Sequence, residues 1–133
     1  VADTVVVVDD DPVIQAILEA VLSGGGYRVE VAPEASGAVA AVRRTRPAAV
    51  LVDRMLPGRD GIDLCRDLRA EPEPSPRPSI VLLTADADRV RPELAAAAGI
   101  DAVVAKPFQP AELLQLLARL RHSGDGADSA RPR

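Results

Sequence analysis

The sequence predicts an α/β domain, a five-stranded parallel sheet with helices on both faces. Short runs rich in Val, Ile and Leu alternate along the chain with amphipathic stretches. Several of those runs are continuously apolar, the pattern of strands covered on both sides. The size agrees: 133 residues, 47% of them hydrophobic, suit one domain. Such a domain buries roughly two-thirds of its unfolded surface, so a core forms without staples.

The expected strands are Val5–Val8, Arg28–Val31, Ala49–Val52, Ile80–Leu83 and Ala102–Val104. The first helix carries Val13, Ile17, Ala20 and Val21 on one face and ends at Gly24–Gly26. The second spans Glu34–Arg44 and stops before Pro47. The third is Ile62–Arg69. The fourth lies within Asp88–Ala98 and is stopped by Gly99. The last is Pro110–Leu120, with Leu113, Leu116, Leu117 and Leu120 along one side. Pro12 and Pro110 stand where first-turn prolines belong. Five βα units favour the flavodoxin-like strand order 2-1-3-4-5, and ligands of such folds bind at the carboxyl ends of the strands. Two segments fall outside the alternation: the Pro-rich loop Glu71–Pro78 and the Gly/Ser/Asp/Ala-rich tail His122–Arg133, read as disordered. The domain proper is therefore expected over residues 1–121.

Composition removes several classes of function. One cysteine, Cys65, excludes an internal disulfide framework and favours a reduced, cytoplasmic setting. The start, VADTVVVV, lacks the basic region of a signal peptide, and no apolar run is long enough to span a bilayer. A net charge of −4 without a basic block, and only 2% aromatics, argue against direct nucleic-acid binding.

Chemistry collects at the strand ends. Asp9, Asp10 and Asp11 follow the first strand, Asp53 the third, Thr84 and Ala85 the fourth, and Lys106, Pro107 and Phe108 the fifth. In the expected order those strands are neighbours, so carboxylates, a hydroxyl and an ammonium meet in one shallow cleft. Clustered carboxylates need a cation, and an all-oxygen set with room for water suits Mg²⁺ or Mn²⁺. A carboxylate can itself be a nucleophile toward phosphorus, with a lysine and a hydroxyl holding the remaining oxygens. Lys106 is the one lysine among 16 Lys and Arg residues. Composition alone would have put arginine there, and a compact ammonium suits a crowded phosphate site better than a planar fork.

Other features have plainer readings. Asp11 before Pro12 is a helix N-cap. Gly24–Gly26 follows a helix and precedes a strand, the wrong context for a phosphate loop. Asp60-Gly61 starts a helix, Cys65 is a small helix residue, and His122 has no assigned role.

The segments VVVVDDDP, VLVDRMLPGRDG, VLLTADA and VVAKPF together resemble the receiver domain of two-component response regulators, of the chemotaxis-regulator type, over residues 4–121. The resemblance implies that Asp53 is phosphorylated by a histidine kinase or a histidine phosphotransfer protein. It implies that Asp10, Asp53 and the backbone carbonyl of Met55 bind Mg²⁺ directly, with Asp9 acting through a water. Thr84 and the backbone N–H of Ala85 would contact the phosphoryl group, Lys106 would pair with it, and Lys106–Pro107 would be cis. Such a domain is no enzyme toward other substrates, promoting only its own phosphorylation and dephosphorylation. An effector or a second copy would dock on the face of the fourth helix, fifth strand and fifth helix. Many relatives carry Tyr or Phe three residues before the lysine, where this chain has Val103. Pro92 interrupts the fourth helical stretch, so that helix is expected to begin near Arg91 after a longer loop.

Two other functions fit part of the pattern. Asp9-Asp10-Asp11-Pro12-Val13 matches the nucleophile motif of haloacid-dehalogenase-like phosphohydrolases, with Asp9 as nucleophile, but leaves Asp53 unexplained. A receiver-like binding module that signals without phosphorylation would leave the acidic set and the lone lysine idle. The chain shows no effector segment and is expected to be either a stand-alone receiver or part of a longer protein, with 122–133 as linker.

Overall fold

The computed structural model describes residues 3–72 and 77–130, with the backbone alone over 122–130. Five strands form the sheet: β1 (Thr4–Val8), β2 (Arg28–Ala32), β3 (Ala49–Asp53), β4 (Ser79–Thr84) and β5 (Ala102–Ala105). All neighbours are parallel, in the order β2-β1-β3-β4-β5 expected from the sequence. The helices are α1 (Pro12–Gly24), α2 (Ala38–Thr45), α3 (Gly61–Ala70), α4 (Pro92–Ala97) and α5 (Pro110–Ala130).

Strand alternation divides the core in two. Val5, Val7, Leu51, Val81 and Leu83 pack with Leu18 and Leu22 of α1 and Leu113 and Leu117 of α5. Val6, Val8, Val50, Val52, Ile80 and Leu82 pack with residues of α2, α3 and α4. The central strands are buried on both sides, which is why they read as unbroken apolar runs.

Several elements differ from the sequence reading. In α1 the buried residues are Leu18 and Leu22, with Ile14 partly buried beside them, whereas Val13 is 64% and Ile17 43% exposed. Leucines at i and i+4 bury more area than the valine–alanine face that the spacing also allowed. The second helical stretch begins as a 3₁₀ turn, Ala35–Gly37, and becomes α-helical only from Ala38. The fourth begins where Pro92 leads the sequence to expect it, with Arg91 as N-cap and Pro92 in the first turn; what the sequence did not show is the separate 3₁₀ turn Ala87–Arg89 before it. A proline is tolerated in the first helical turn, where its missing N–H is not needed. A short hairpin, Met55–Leu56 with Arg59–Asp60, was not foreseen; it follows β3 directly. Helix α5 continues past Leu120 to Ala130, into the tail read as disordered, of which residues 131–133 lie outside the described residues. No proline stands between Pro110 and Pro132 to block it, and Gly124 and Gly126 weaken a helix by about 1 kcal/mol each without ending it. Of the Pro-rich loop, Glu71, Pro72, Arg77 and Pro78 lie outside helix and strand, and residues 73–76 lie outside the described residues. No helix among the described residues is long and apolar enough to cross a membrane.

Candidate functional site

The site grows from the parity of the strands. Asp53 ends β3 with the parity of Leu51, on the α1/α5 side, and is 6% exposed. Asp9, one residue past β1, continues the parity of Val5 and Val7 and is fully buried. Lys106, one residue past β5, continues that of Val104. The three side chains therefore converge. Lys106 Nζ donates to Asp53 Oδ1 at 2.9 Å and to Asp9 Oδ2 at 3.4 Å. Asp10 is exposed, and one oxygen each of Asp9, Asp10 and Asp53 lies within 4.8 Å of the others. Such a triad can hold a metal ion through oxygen ligands.

The β1–α1 turn is held by its own polar groups. Asp9 Oδ1 accepts from the Asp11 N–H at 2.9 Å. Asp11 Oδ1 accepts from the Val13 N–H at 2.9 Å, the N-cap bond expected from the sequence. Gln15, which the sequence reading passed over, donates its side-chain N–H to the Asp9 carbonyl oxygen at 2.6 Å.

Burial pushes the Asp9 carboxyl above its ordinary value and the Asp53 charge adds to this, while the Asp11 N–H and the Lys106 ammonium oppose it without cancelling it. Burial would lower Lys106, but the hydrogen bond to Asp53 and the charges of Asp9 and Asp53 outweigh it, so the ammonium is held above the usual lysine value. The ammonium thus offsets two carboxylates only in part. A divalent cation would complete the balance.

Gly61 sets the closeness of α3 to this site. A Cβ there would lie 2.3 Å from the Asp53 carbonyl oxygen and 2.8 Å from Arg54 Cα. The Gly61 N–H donates to the Arg54 carbonyl at 2.7 Å, and Asp60 caps α3 through the Ile62 N–H at 2.8 Å. The Asp60-Gly61 pair was legible as a helix start; the close approach to Asp53 was not, because it depends on β3 lying alongside.

Thr84, 4% exposed, has the parity of Ile80 and Leu82 and belongs to the α2–α4 side. Its hydroxyl accepts from the Asp86 N–H at 3.2 Å. Ala85 lies between them at the start of the segment leading to α4. Met55 is 78% exposed, and its N–H donates to Asp53 Oδ1 at 3.3 Å. The Lys106–Pro107 peptide is cis, as expected. Cys65 is buried inside α3, its thiol pushed up to about 12 by burial, which fits the plain helix-packing reading.

Comparison with known proteins agrees with this geometry. The family model described as the response regulator receiver domain matches residues 5–118. The chain is 48% identical over 122 residues to the DNA-binding response regulator MtrA of Mycolicibacterium smegmatis, covering 91% of this chain and 52% of that protein. It thus spans about half the length of the curated relatives it matches. Among solved structures it is similar to the receiver domain of a sensor histidine kinase from Pseudomonas aeruginosa, which has magnesium coordinated in the active-site cleft. The TM-score is 0.81 at 37% identity, over 92% of this chain and 100% of that one. It is also similar to the BeF₃-activated N-terminal receiver domain of RstA from Klebsiella pneumoniae. There the TM-score is 0.78 at 34% identity, over 90% of this chain and 98% of that one. With the acidic triad, the lone lysine and the threonine at the ends of β1, β3, β5 and β4, the chain belongs to the response regulator receiver domain family of two-component systems.

Proposed function

We propose that this receiver is a Mg²⁺-dependent switch in which Asp53 takes up a phosphoryl group. The observation that carries the reading is the Lys106 ammonium 2.9 Å from Asp53 Oδ1, inside an all-carboxylate cluster. The phosphoryl donor is a phosphohistidine on a histidine kinase or a histidine phosphotransfer protein. Asp53 Oδ forms a bond to phosphorus while the P–N bond breaks and its electron pair returns to the donor imidazole. Lys106 then pairs with the new phosphoryl oxygens, joined by the Thr84 hydroxyl and the Ala85 N–H. Outside this self-modification the domain has no catalytic role.

A hard divalent cation fits the residues present, since the donors are all oxygen and the fully buried Asp9 is only partly balanced by Lys106. Asp10, Asp53 and the Met55 carbonyl would hold Mg²⁺ directly, and Asp9 through a water; Mn²⁺ could replace it. When bound, the ion would reduce repulsion between the nucleophile and the incoming phosphoryl oxygens.

Val103, on the same side as Thr84, is partly buried against the α2–α4 core, and a valine has no large rotamer swing. The switch is therefore assigned to Ala85–Arg91. Partners or a second copy meet it on the α4–β5–α5 face, where a groove of about 530 Å³ runs along β5 and α5 beside Val103, Glu112 and Arg119. Residues 1–121 are the receiver and 122–133 the link to an effector, of the DNA-binding kind named for MtrA. The protein works in the cytoplasm.

The comparisons lend no support to the phosphohydrolase or phosphorylation-independent readings. Asp9 is also badly placed as a nucleophile, being fully buried with both carboxylate oxygens engaged. The test is incubation with acetyl phosphate and Mg²⁺. A base-labile label should map to Asp53 and disappear in Asp53→Ala. Label on Asp9 would overturn the assignment.

A further inference from the structure

Gln15 takes no part in the transfer of the phosphoryl group to Asp53. Gln15 stands in the second turn of α1, its backbone N–H bonded to the Asp11 carbonyl at 2.9 Å. Its side chain turns back over the helix start and donates from Nε2 to the Asp9 carbonyl oxygen at 2.6 Å, partly buried. That carbonyl belongs to the peptide joining the two acids Asp9 and Asp10. The pairing of β1 ends at Val8, matched with Ala32 and Val52. The sheet register therefore stops one residue short of Asp9, and the orientation of the Asp9–Asp10 peptide falls to local contacts.

We propose that Gln15 is a positioning residue for the acidic triad. Its amide fixes the Asp9–Asp10 peptide plane and so sets the direction in which Asp10, the exposed acid, leaves the backbone. This rests on the reading that Asp9, Asp10 and Asp53 hold a divalent cation. Two other bonds fix the neighbouring atoms, Asp9 Oδ1 to the Asp11 N–H and Asp11 Oδ1 to the Val13 N–H. Asp10 lies between those anchors, and the Gln15 bond is the one that grips its own peptide. The chemistry of the donor matters. A neutral amide can hold a carbonyl without drawing the carboxylates away from a cation, as an arginine or lysine would. A glutamate at the same place has no proton to give when ionised. Outer contacts of this kind orient metal ligands, and their loss weakens metal binding by about 10-fold or more.

The test compares wild type with Gln15→Met, which keeps length and removes the donor, and Gln15→Glu, which keeps shape and removes it. Mg²⁺ affinity is measured by calorimetry, thermal midpoints without Mg²⁺ by scanning calorimetry, and backbone ¹⁵N shifts by NMR. Asp10→Ala serves as the control for the triad. Both Gln15 variants should bind Mg²⁺ about 10-fold more weakly, with midpoints close to wild type. The Asp10 ¹⁵N signal, whose nitrogen shares the gripped peptide, should move while Leu18 and Leu22 stay. If Gln15→Met does not fold, Gln15→Glu and a slowly exchanging Gln15 side-chain amide in the wild type carry the test. Unchanged affinity in the variants, with Asp10→Ala weakened, overturns the role of Gln15 and leaves the metal reading standing. A loss of affinity matched by an equal loss of midpoint also overturns it, as a merely structural effect. Failure of the wild type to bind Mg²⁺ overturns both.

Discussion

Lys106 Nζ donates to Asp53 Oδ1 at 2.9 Å, joining two strand ends 53 residues apart in the chain. The same ammonium reaches Asp9 Oδ2 at 3.4 Å, so one cation bridges two largely buried acids. Lys106→Arg keeps the charge and replaces a point donor with a wider fork. The mutant is expected to fold and bind Mg²⁺, with slower phosphorylation by acetyl phosphate or lost output. Wild-type behaviour in both assays would refute the special role of lysine. The pH dependence has a defined sign. Lys106 is raised above 10.5 in the folded state, so its contribution to stability is complete below that value and fades as pH rises through the folded value.

Asp9 has the same sign of pH dependence in a lower window, so at neutral pH its contribution is already lost. Burial raises its carboxyl above 3.8, so the unfolded chain loses this proton first as pH rises. The stabilisation is present below 3.8 and is lost as pH climbs through the folded value. Ionised Asp9 is therefore a net cost to the metal-free domain. Asp9→Asn keeps an oxygen for the Asp11 N–H and should raise the midpoint without Mg²⁺ by about 3 °C. It should also remove much of the stabilisation that Mg²⁺ gives the wild type. A lower midpoint in metal-free buffer would contradict this.

Gly61→Ala tests the approach of α3 to β3. The obstacle is backbone, with the Asp53 carbonyl oxygen 2.3 Å from the new Cβ, so no side-chain rotation can relieve it. The expected cost is about 1–3 kcal/mol in urea unfolding, with reduced phosphorylation because Asp53 itself must shift. Full stability and full labelling would show that the helix start yields freely.

The Ala85–Arg91 segment should report phosphorylation. Thr84 Oγ1 now accepts from the Asp86 N–H at 3.2 Å, and Val90 is buried in the α2–α4 core. A Thr84 hydroxyl drawn to a phosphoryl group releases that N–H and shifts the population of loop conformers. Amide hydrogen exchange with and without beryllofluoride should change across Ala85–Arg91 and little at Val103. Changes confined to Asp53–Gly61 would rule out this route.

The sequence by itself determined the sheet order, the five βα units and the residues at their ends. Continuous apolar strands and the spacing of Asp9, Asp10, Asp53, Thr84 and Lys106 are local signals, readable one segment at a time. It also located the caps at Asp11 and Asp60, whose bonds span two residues. Only the tertiary structure decided which face α1 buries, with Leu18 and Leu22 in the core in place of Val13 and Ile17, whereas the leucine face of α5 was legible in the sequence. It alone showed Gly61 against Asp53 and Gln15 on the Asp9 carbonyl. These relationships depend on how strands and helices lie against one another, and such contacts are set by packing across the chain, on which the spacing within any single segment is silent.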